Sequence, residues 1–512
     1  MNLLRRYWLR GCVWILVALI AIIGLLWAWV DWSGARSWRK TQATFAREGQ
    51  PLDIRAVAPD PVADAENFCA IPLLKDLGLV VDGDSAKGEP GQKRARLNAA
   101  SLPPAGKANA LPALPSVAVG QRVDFEKWAA WFEKNGSTAK SGDAARDVLA
   151  ALSRHDAVFK DLAAGLGRPG AQWTPAWKTR ELPRNLLATK LPHLTCAQQL
   201  SRSLALRCIT AARLGDAHQA YESAHLIARI SDACREEPHA LGMLVAAAGT
   251  TQLTNAAWVL CDSHLGSVDD FSRLEMALSC MDFRRSALRG LSGDLVCALN
   301  DVQLMKESPE LRVAALEFNG KHGPAARFAI AHLLPWGFFD ANAAVLADRY
   351  FASLIKPLRD QGWPAALASS RDFETALEKV KTNISTHPTF MLTAVFAPAL
   401  TRVVEKGIYA QTLVNQAVVA CALERYRIEK GSYPDSLDLV KLVGGKPLPP
   451  DILAGKSMSY RKTANGKYVL WCVSFNGKDH GGKRVLDKAH PEETKVWKEG
   501  YAGDWVWDFP DK

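Results

Sequence analysis

Three short motifs carry residue types suited to phosphate or acyl chemistry. Gly455-Lys456-Ser457 ends like a phosphate loop, in which a Gly-rich turn offers backbone N–H groups to phosphate and a Lys reaches it. Pro450 stands where the first Gly of that loop belongs, so the cradle has no reason to form. Ser137-Thr138-Ala139-Lys140 and Ser353-Leu354-Ile355-Lys356 match the S-x-x-K of penicillin-recognising enzymes. That chemistry also needs S-D-N-like and K-T-G elements. Lys381-Thr382-Asn383 is the nearest to the latter and follows too closely in sequence. The chain has no G-x-S-x-G and no H-E-x-x-H. His218 and His225 share a helix face about 10 Å apart, too far to hold one metal together. Glu236-Glu237 and Asp269-Asp270 read as solvated charges at helix ends and starts. Trp173 and Trp177, in GAQWTPAWK, flank a Pro in a loop and are the candidates for an exposed binding surface; the other tryptophans outside the apolar N-terminal run read as core.

The element that positions everything else is Cys12–Val30, CVWILVALIAIIGLLWAWV, an uncharged run in an otherwise polar chain. As a helix it reaches about 28 Å, one hydrocarbon thickness. Trp8 and Trp14 lie at one end and Trp27, Trp29 and Trp32 at the other, as in the aromatic belts of a span. Ser33-Gly34-Ala35 resembles a signal-peptide cleavage site, but the run is long for a signal peptide and rich in Trp, which favours a retained anchor. Arg5, Arg6 and Arg10 precede the run; Arg36, Arg39, Lys40 and Arg47 follow it. The compact cluster before the run favours an N-terminus inside, with the bulk of the chain exported. The expected address is the inner (cytoplasmic) membrane, single-pass, with the body periplasmic or otherwise extracytoplasmic.

The chain has 512 residues, enough for two or three domains, and a net charge of +10. Its Lys and Arg are scattered among acids, without the basic stripe and interleaved aromatics of a nucleic-acid groove, so no nucleic-acid partner is expected. An exported basic protein faces anionic lipid or cell-wall polymer, and the charge serves solubility equally well. Ten cysteines form no C-x-x-C or zinc-ribbon spacing. Most lie in Ala/Leu-rich helical stretches and read as buried free thiols, with a Cys421–Cys472 pair as the open alternative.

Beyond the span, residues 31–50 continue its helix, and the prolines at 51, 59, 61 and 72 make the next stretch extended and packed on a core. Residues 82–120, rich in Gly, Pro, Ala and Lys, read as a flexible linker. Helical periodicity then runs over 123–132 and 143–166, almost continuously over 194–304, and over 325–334, 339–356 and 371–382. The hairpin ARLGDAHQAYESA resembles one tetratricopeptide-type unit, with Gly215-Asp216 in the turn and a small Ala220 at the close approach; no signature recurs at a fixed period. The predicted class is mainly α, organised as a tail (1–11), a transmembrane helix (12–30), a stalk (31–81), a linker (82–120), an irregular α-helical domain (121–400) and a small α+β module (401–512).

In that last module Ile408–Lys430 is amphipathic and ends at Gly431, where a left-handed cap belongs. MSYRKTA and KYVLWCVSF flank Asn465-Gly466, which predicts a type I′ hairpin with Tyr460 opposite Trp471 and Thr463 opposite Tyr468. Trp505, Trp507 and Phe509 alternate as one more strand. ALERYRIEKGSYPDSL, then PPDILAGKSMSYRKTANGKYVLWCVSFNGKDHGG, then GDWVW resembles the C-terminal half of major pseudopilins of type II secretion systems. The resemblance covers about 100 residues; the chain lacks the prepilin peptidase signature and places several hundred residues between span and module. The layout also resembles uncharacterised single-span bacterial envelope proteins. The pseudopilin resemblance implies a calcium-binding loop, with Asp479, Asp487 and Asp504 supplying carboxylates, although Lys478, His480, Lys483 and Arg484 put cations into the same loop.

The function these features predict is a non-enzymatic, membrane-anchored envelope protein whose helical body meets a protein partner. The alternatives are a divergent pseudopilus-associated subunit and an envelope hydrolase whose site is assembled from distant residues, which spacing cannot reveal.

Overall fold

The structure, a computed structural model, describes residues 2–78, 88–103, 111–173, 176–179, 182, 184–316, 323–381, 387–396, 401–487, 494–498 and 500–510. It is mainly helical with one small antiparallel sheet. The helices of eight residues or more are α1 (Asn2–Glu48), α2 (Gly88–Ala99), α3 (Phe125–Lys134), α4 (Ala144–Ser153), α5 (Asp156–Ala163), α6 (Pro192–Leu214), α7 (Ala217–Arg235), α8 (Ala240–Asp262), α9 (Val268–Ser279), α10 (Phe283–Leu304), α11 (Pro309–Leu316), α12 (Pro324–His332), α13 (Trp336–Tyr350), α14 (Trp363–Lys381) and α15 (Thr401–Lys430). The strands are β1 (Ser459–Lys462), β2 (Tyr468–Cys472) and β3 (Trp505–Trp507), in that order in the sheet.

The first helix is unbroken from tail to body, because Ser33-Gly34-Ala35 lies within it and no Pro interrupts it. Its apolar window has no buried residues, and it is the one helix among the described residues that is long and apolar enough to cross a membrane unaided. Its second half docks on α13, and the two run parallel. Gly34 meets Gly337, Phe45 stacks near Phe351 with ring centroids 5.1 Å apart, and Glu48 pairs with Lys356 and Arg359 at 2.7 and 2.8 Å. At the crossing a Cβ on Gly34 would lie 2.0 Å from the Gly337 carbonyl oxygen, so the two backbones touch. The Asp31 carboxylate accepts a hydrogen bond from the Gly337 N–H at 2.6 Å, capping α13 from α1. After Tyr350 the helix widens into a π turn over Phe351–Ile355 and continues to Asp360.

The centre of the body is α8, ALGMLVAAAGTTQLTNAAWVLCD, apolar around most of its circumference and packed by α6, α7, α10 and α15. A helix of that character is stable only when enclosed. One cluster of buried apolar side chains runs from Phe45 to Phe509 and takes in both the helical region and the C-terminal segment. Residues 401–512 are therefore not an appended module: α15 lies against α8, α9, α10 and α14, and the Trp258 indole donates to the Asp508 carbonyl at 2.8 Å.

Several sequence readings are corrected. The stretch predicted as a flexible linker, 82–120, contains helix α2 and the buried side chains Leu97, Ala100, Leu102 and Val117; its calls on 82–87 and 104–110 lie outside the described residues. Within the stretch read as almost continuously helical over 194–304, the last part is two helices, α9 and α10, because Asp282 accepts from the Arg285 N–H and starts α10 afresh. Likewise 143–166 divides at Arg154-His155. The hairpin register is shifted by one: Tyr460 opposes Leu470, and Ser459 opposes Trp471. Thr463 closes the loop through bonds to Lys467 and Gly466, and only Gly466 has positive φ, +78°. Asn465 does not, so the connection is a three-residue loop with a Gly bulge rather than a type I′ turn. All ten cysteines are free thiols; Cys421 neighbours Cys261, not Cys472.

Candidate functional site

The motif residues named from sequence do not converge. Lys140 pairs with Glu133 at 2.6 Å on the surface, and Lys356 pairs with Glu48. Lys456 closes a small bridge with Asp451, and Thr382 and Asn383 lie outside the described residues. His218 is exposed and His225 half-buried. Trp173 and Trp177 are not a surface: both are buried, Trp177 completely, because the loop that carries them folds onto α6 and the start of α8.

The loop assigned to calcium is organised in the opposite sense. Asp504 is buried and accepts from the N–H groups of His480 at 3.0 Å and Gly482 at 2.9 Å, with the His480 ring at 3.3 Å. Asp479 accepts from the Trp471 indole and the Gly481 N–H, both at 2.9 Å. The exposed Asp487 donates its own N–H to Thr494. A calcium loop turns carbonyl oxygens toward a cation; here a carboxylate gathers N–H donors. Among the described residues no three His, Cys, Asp or Glu side chains group to hold a metal ion.

The polar groups that do converge lie where α10 meets the turn before α8. Gly290 and Gly293 leave no side chain on that face of α10: a Cβ at Gly293 would sit 1.7 Å from the Pro238 carbonyl, and one at Gly290 2.8 Å from Ala240. The backbone of 238–240 therefore lies directly on the helix. The next residue, Asp294, then reaches His239 Nδ1 at 2.8 Å and the Ala240 N–H at 3.3 Å. One carboxylate both caps α8 and fixes an imidazole. An ionised carboxylate only accepts, so beside it Nδ1 carries the proton, and in the neutral imidazole Nε2 then presents a lone pair. That Nε2 is buried and, among the described residues, without a hydrogen-bond partner.

His239 and Asp294 line a cavity of about 220 Å³ walled by Leu186, Leu191, Leu241, Leu346 and Phe396. Tyr350 and Thr189 also face it, and their hydroxyls are likewise buried and unpartnered among the described residues. Burial pushes the Tyr350 phenol well above its ordinary range, which keeps it a neutral donor. Behind His239 the Trp177 ring packs at 4.8 Å and donates to Glu237 at 3.2 Å; Glu237 also holds His193 Nε2 at 2.9 Å. Burial raises the Glu237 carboxyl, but the charge and hydrogen bond of His193, joined by the Trp177 N–H, outweigh it and leave the group below its ordinary value. The reading of Glu236-Glu237 as solvated charges is thus wrong for Glu237, which is fully enclosed.

An imidazole acceptor, a phenol donor and a Thr hydroxyl in an apolar pocket suit a small ligand bearing a hydroxyl or amide N–H, or a general base acting on water. Sequence reasoning missed His239, Asp294, Tyr350 and Thr189. The G-x-x-G-D of Gly290–Asp294 is a trace of the close approach, but nothing in the sequence says which backbone lies on it. A second cavity, of about 740 Å³, is lined in part by Gln252, Lys406, Tyr409 and Trp497. Burial pushes the Lys406 amine down to about 8, while the Trp497 face 3.0 Å away favours its cationic form.

No family model, curated protein or solved structure matches the chain.

Proposed function

We propose that this chain is a single-span component of the cell envelope, anchored in the cytoplasmic membrane with its body outside the cytoplasm. In this reading the helical body is a protein-interaction scaffold held at fixed height and orientation. The observation that carries it is the union of anchor and body: α1 is continuous from the apolar run into the core and interlocks with α13 at Gly34 and Gly337. A body that acted as a free enzyme would need no such rigid shaft. Lysine-reactive cross-linking in native membranes is expected to give one discrete adduct, lost on Gly337→Leu, which wedges the shaft away from the body. Monomer alone in native membranes would overturn the scaffold reading.

A second reading, hydrolysis or small-ligand binding, is favoured by the His239–Asp294 pair and its unpartnered Nε2. Its test is hydrolysis of a small activated ester by the full chain. Turnover above background that disappears in both His239→Ala and Asp294→Ala supports it; equal rates in all three proteins remove it.

A further inference from the structure

The geometry points to a second membrane contact: helix α12 and the corner Leu333–Trp336 lie on the lipid surface beside the span. This rests on the reading that α1 crosses a bilayer. Helix α13 runs parallel to α1 and begins where the apolar run ends, since a Cβ on Gly337 would lie 2.1 Å from the Val30 carbonyl oxygen. Trp336 is therefore level with the rim of the span. Helix α12 meets the helix that starts at Trp336 at 82°. With α13 alongside the span, α12 lies across the span axis, in the plane a bilayer surface would occupy.

The side chains it carries fit that plane. Phe328, Leu333 and Trp336 are 59, 53 and 62% exposed, and Pro324 to Ala326 are exposed beside them. At the same level α1 presents Trp29 and Trp32, 63 and 57% exposed. The opposite side is fastened to the body: Ala331 is buried, Ile330 and Leu334 pack on the core, and Arg312 donates to the Ala331 carbonyl at 2.7 Å. A helix with Phe328 and Leu333 outward, the exposed Arg327 and His332 among them and its back pinned, matches an interfacial helix, which carries basic as well as apolar side chains. Exposed Arg36, Arg39 and Lys40 follow about two to three turns beyond the rim, where their long side chains reach back toward anionic headgroups. The occupant is thus lipid, with tryptophans at the boundary as in a belt.

The test uses the full chain with Cys12→Ala and Cys280→Ser, the remaining thiols being buried. An environment-sensitive fluorophore is placed on Ile20→Cys, Phe328→Cys or Gln361→Cys, and the protein is reconstituted in vesicles of phosphatidylcholine and phosphatidylglycerol at 3:1, with or without brominated acyl chains. Gln361 is the aqueous control, since the helix from Trp336 carries it about 37 Å from the rim. The expected result is blue-shifted emission and at least twofold quenching at positions 20 and 328, and neither at 361. Quenching at 20 with position 328 behaving like 361 overturns the surface helix and leaves the span intact. No quenching at 20 overturns the span itself.

Discussion

Gly34→Ala offers the sharpest check on how anchor and body are joined. A Cβ there would lie 2.0 Å from the Gly337 carbonyl oxygen and 2.6 Å from its carbon, both backbone atoms in the first turn of α13. An ordinary contact begins near 3.4 Å, so the helices must part by about 1.4 Å, and no flexible side chain can give way instead. Separation of that size forfeits more than half the dispersion attraction across the contact and strains the Asp31 cap on α13. Overpacking of this kind costs about 1–3 kcal/mol, set against a gain of about 1 kcal/mol for replacing Gly in a helix. The net expectation is a loss of up to about 2 kcal/mol. Gly24→Ala is the built-in control: it lies in the same helix with nothing within 4 Å, so it keeps the propensity gain without the clash. Urea unfolding of the detergent-solubilised chain, followed by Trp fluorescence, should move the midpoint down for Gly34→Ala and not for Gly24→Ala. Gly34→Ala and Gly337→Ala together should cost less than their separate costs added, because they relieve one shared contact. If Gly34→Ala stabilised the protein as Gly24→Ala does, the two backbones would not touch and the rigid-shaft picture would fail.

Three further outcomes follow from the geometry. Asp504→Ala removes the acceptor of the His480 and Gly482 N–H groups and should cost about 2–4 kcal/mol, while calcium and EDTA leave the wild-type melting temperature unchanged; a calcium-dependent rise would contradict the inward N–H arrangement. Asp262 joins Arg122 to Lys467: burial raises its carboxyl, but those two cations outweigh it and leave it lower than in the unfolded chain. Its contribution is therefore full above the unfolded value near 4 and is lost as pH falls through the folded one; Asp262→Asn should cost about 2 kcal/mol at pH 7 and flatten the acid limb below pH 4, as read by urea midpoints. In thiol titration of the native chain no more than the exposed Cys12 and Cys280 should react quickly, and all ten after denaturation, with reductant making no difference. Burial raises thiols such as Cys208, pushed up to about 12, and so keeps them unreactive.

What the sequence makes legible is periodic or covalent. The apolar run, the helix stop at Gly431, the helical pattern over 194–304 and the strand pair around Asn465-Gly466 all follow from local pattern, because each depends on neighbours within a few residues. The register slipped because Asn-Gly serves two loop types, and the choice between them is set by how Ala464 is accommodated, not by the dipeptide. Helix α2 escaped because Gly and Pro in its first turn resemble a linker while its contacts come from α6, a hundred residues away. The site was the least legible part. His239 and Asp294 are 55 residues apart, and they meet only because two glycines one turn apart admit a foreign backbone. Tyr350 and Thr189 come from other segments again, and burial, which makes them notable, is a property of the assembled body.

The parallel pairing of α1 with α13 has a mechanical consequence. Forty-seven residues of helix form a rod about 70 Å long, of which, in the proposed reading of α1 as a span, roughly the last 18 residues, about 27 Å, stand outside the hydrocarbon. A hydrophobic segment adapts to bilayer thickness by leaning. Because this rod is locked to the body near both ends of its outer part, a lean of about 10° would swing its far tip by about 5 Å and carry the whole body with it, so that the thickness of the surrounding lipid becomes a setting of the body's posture.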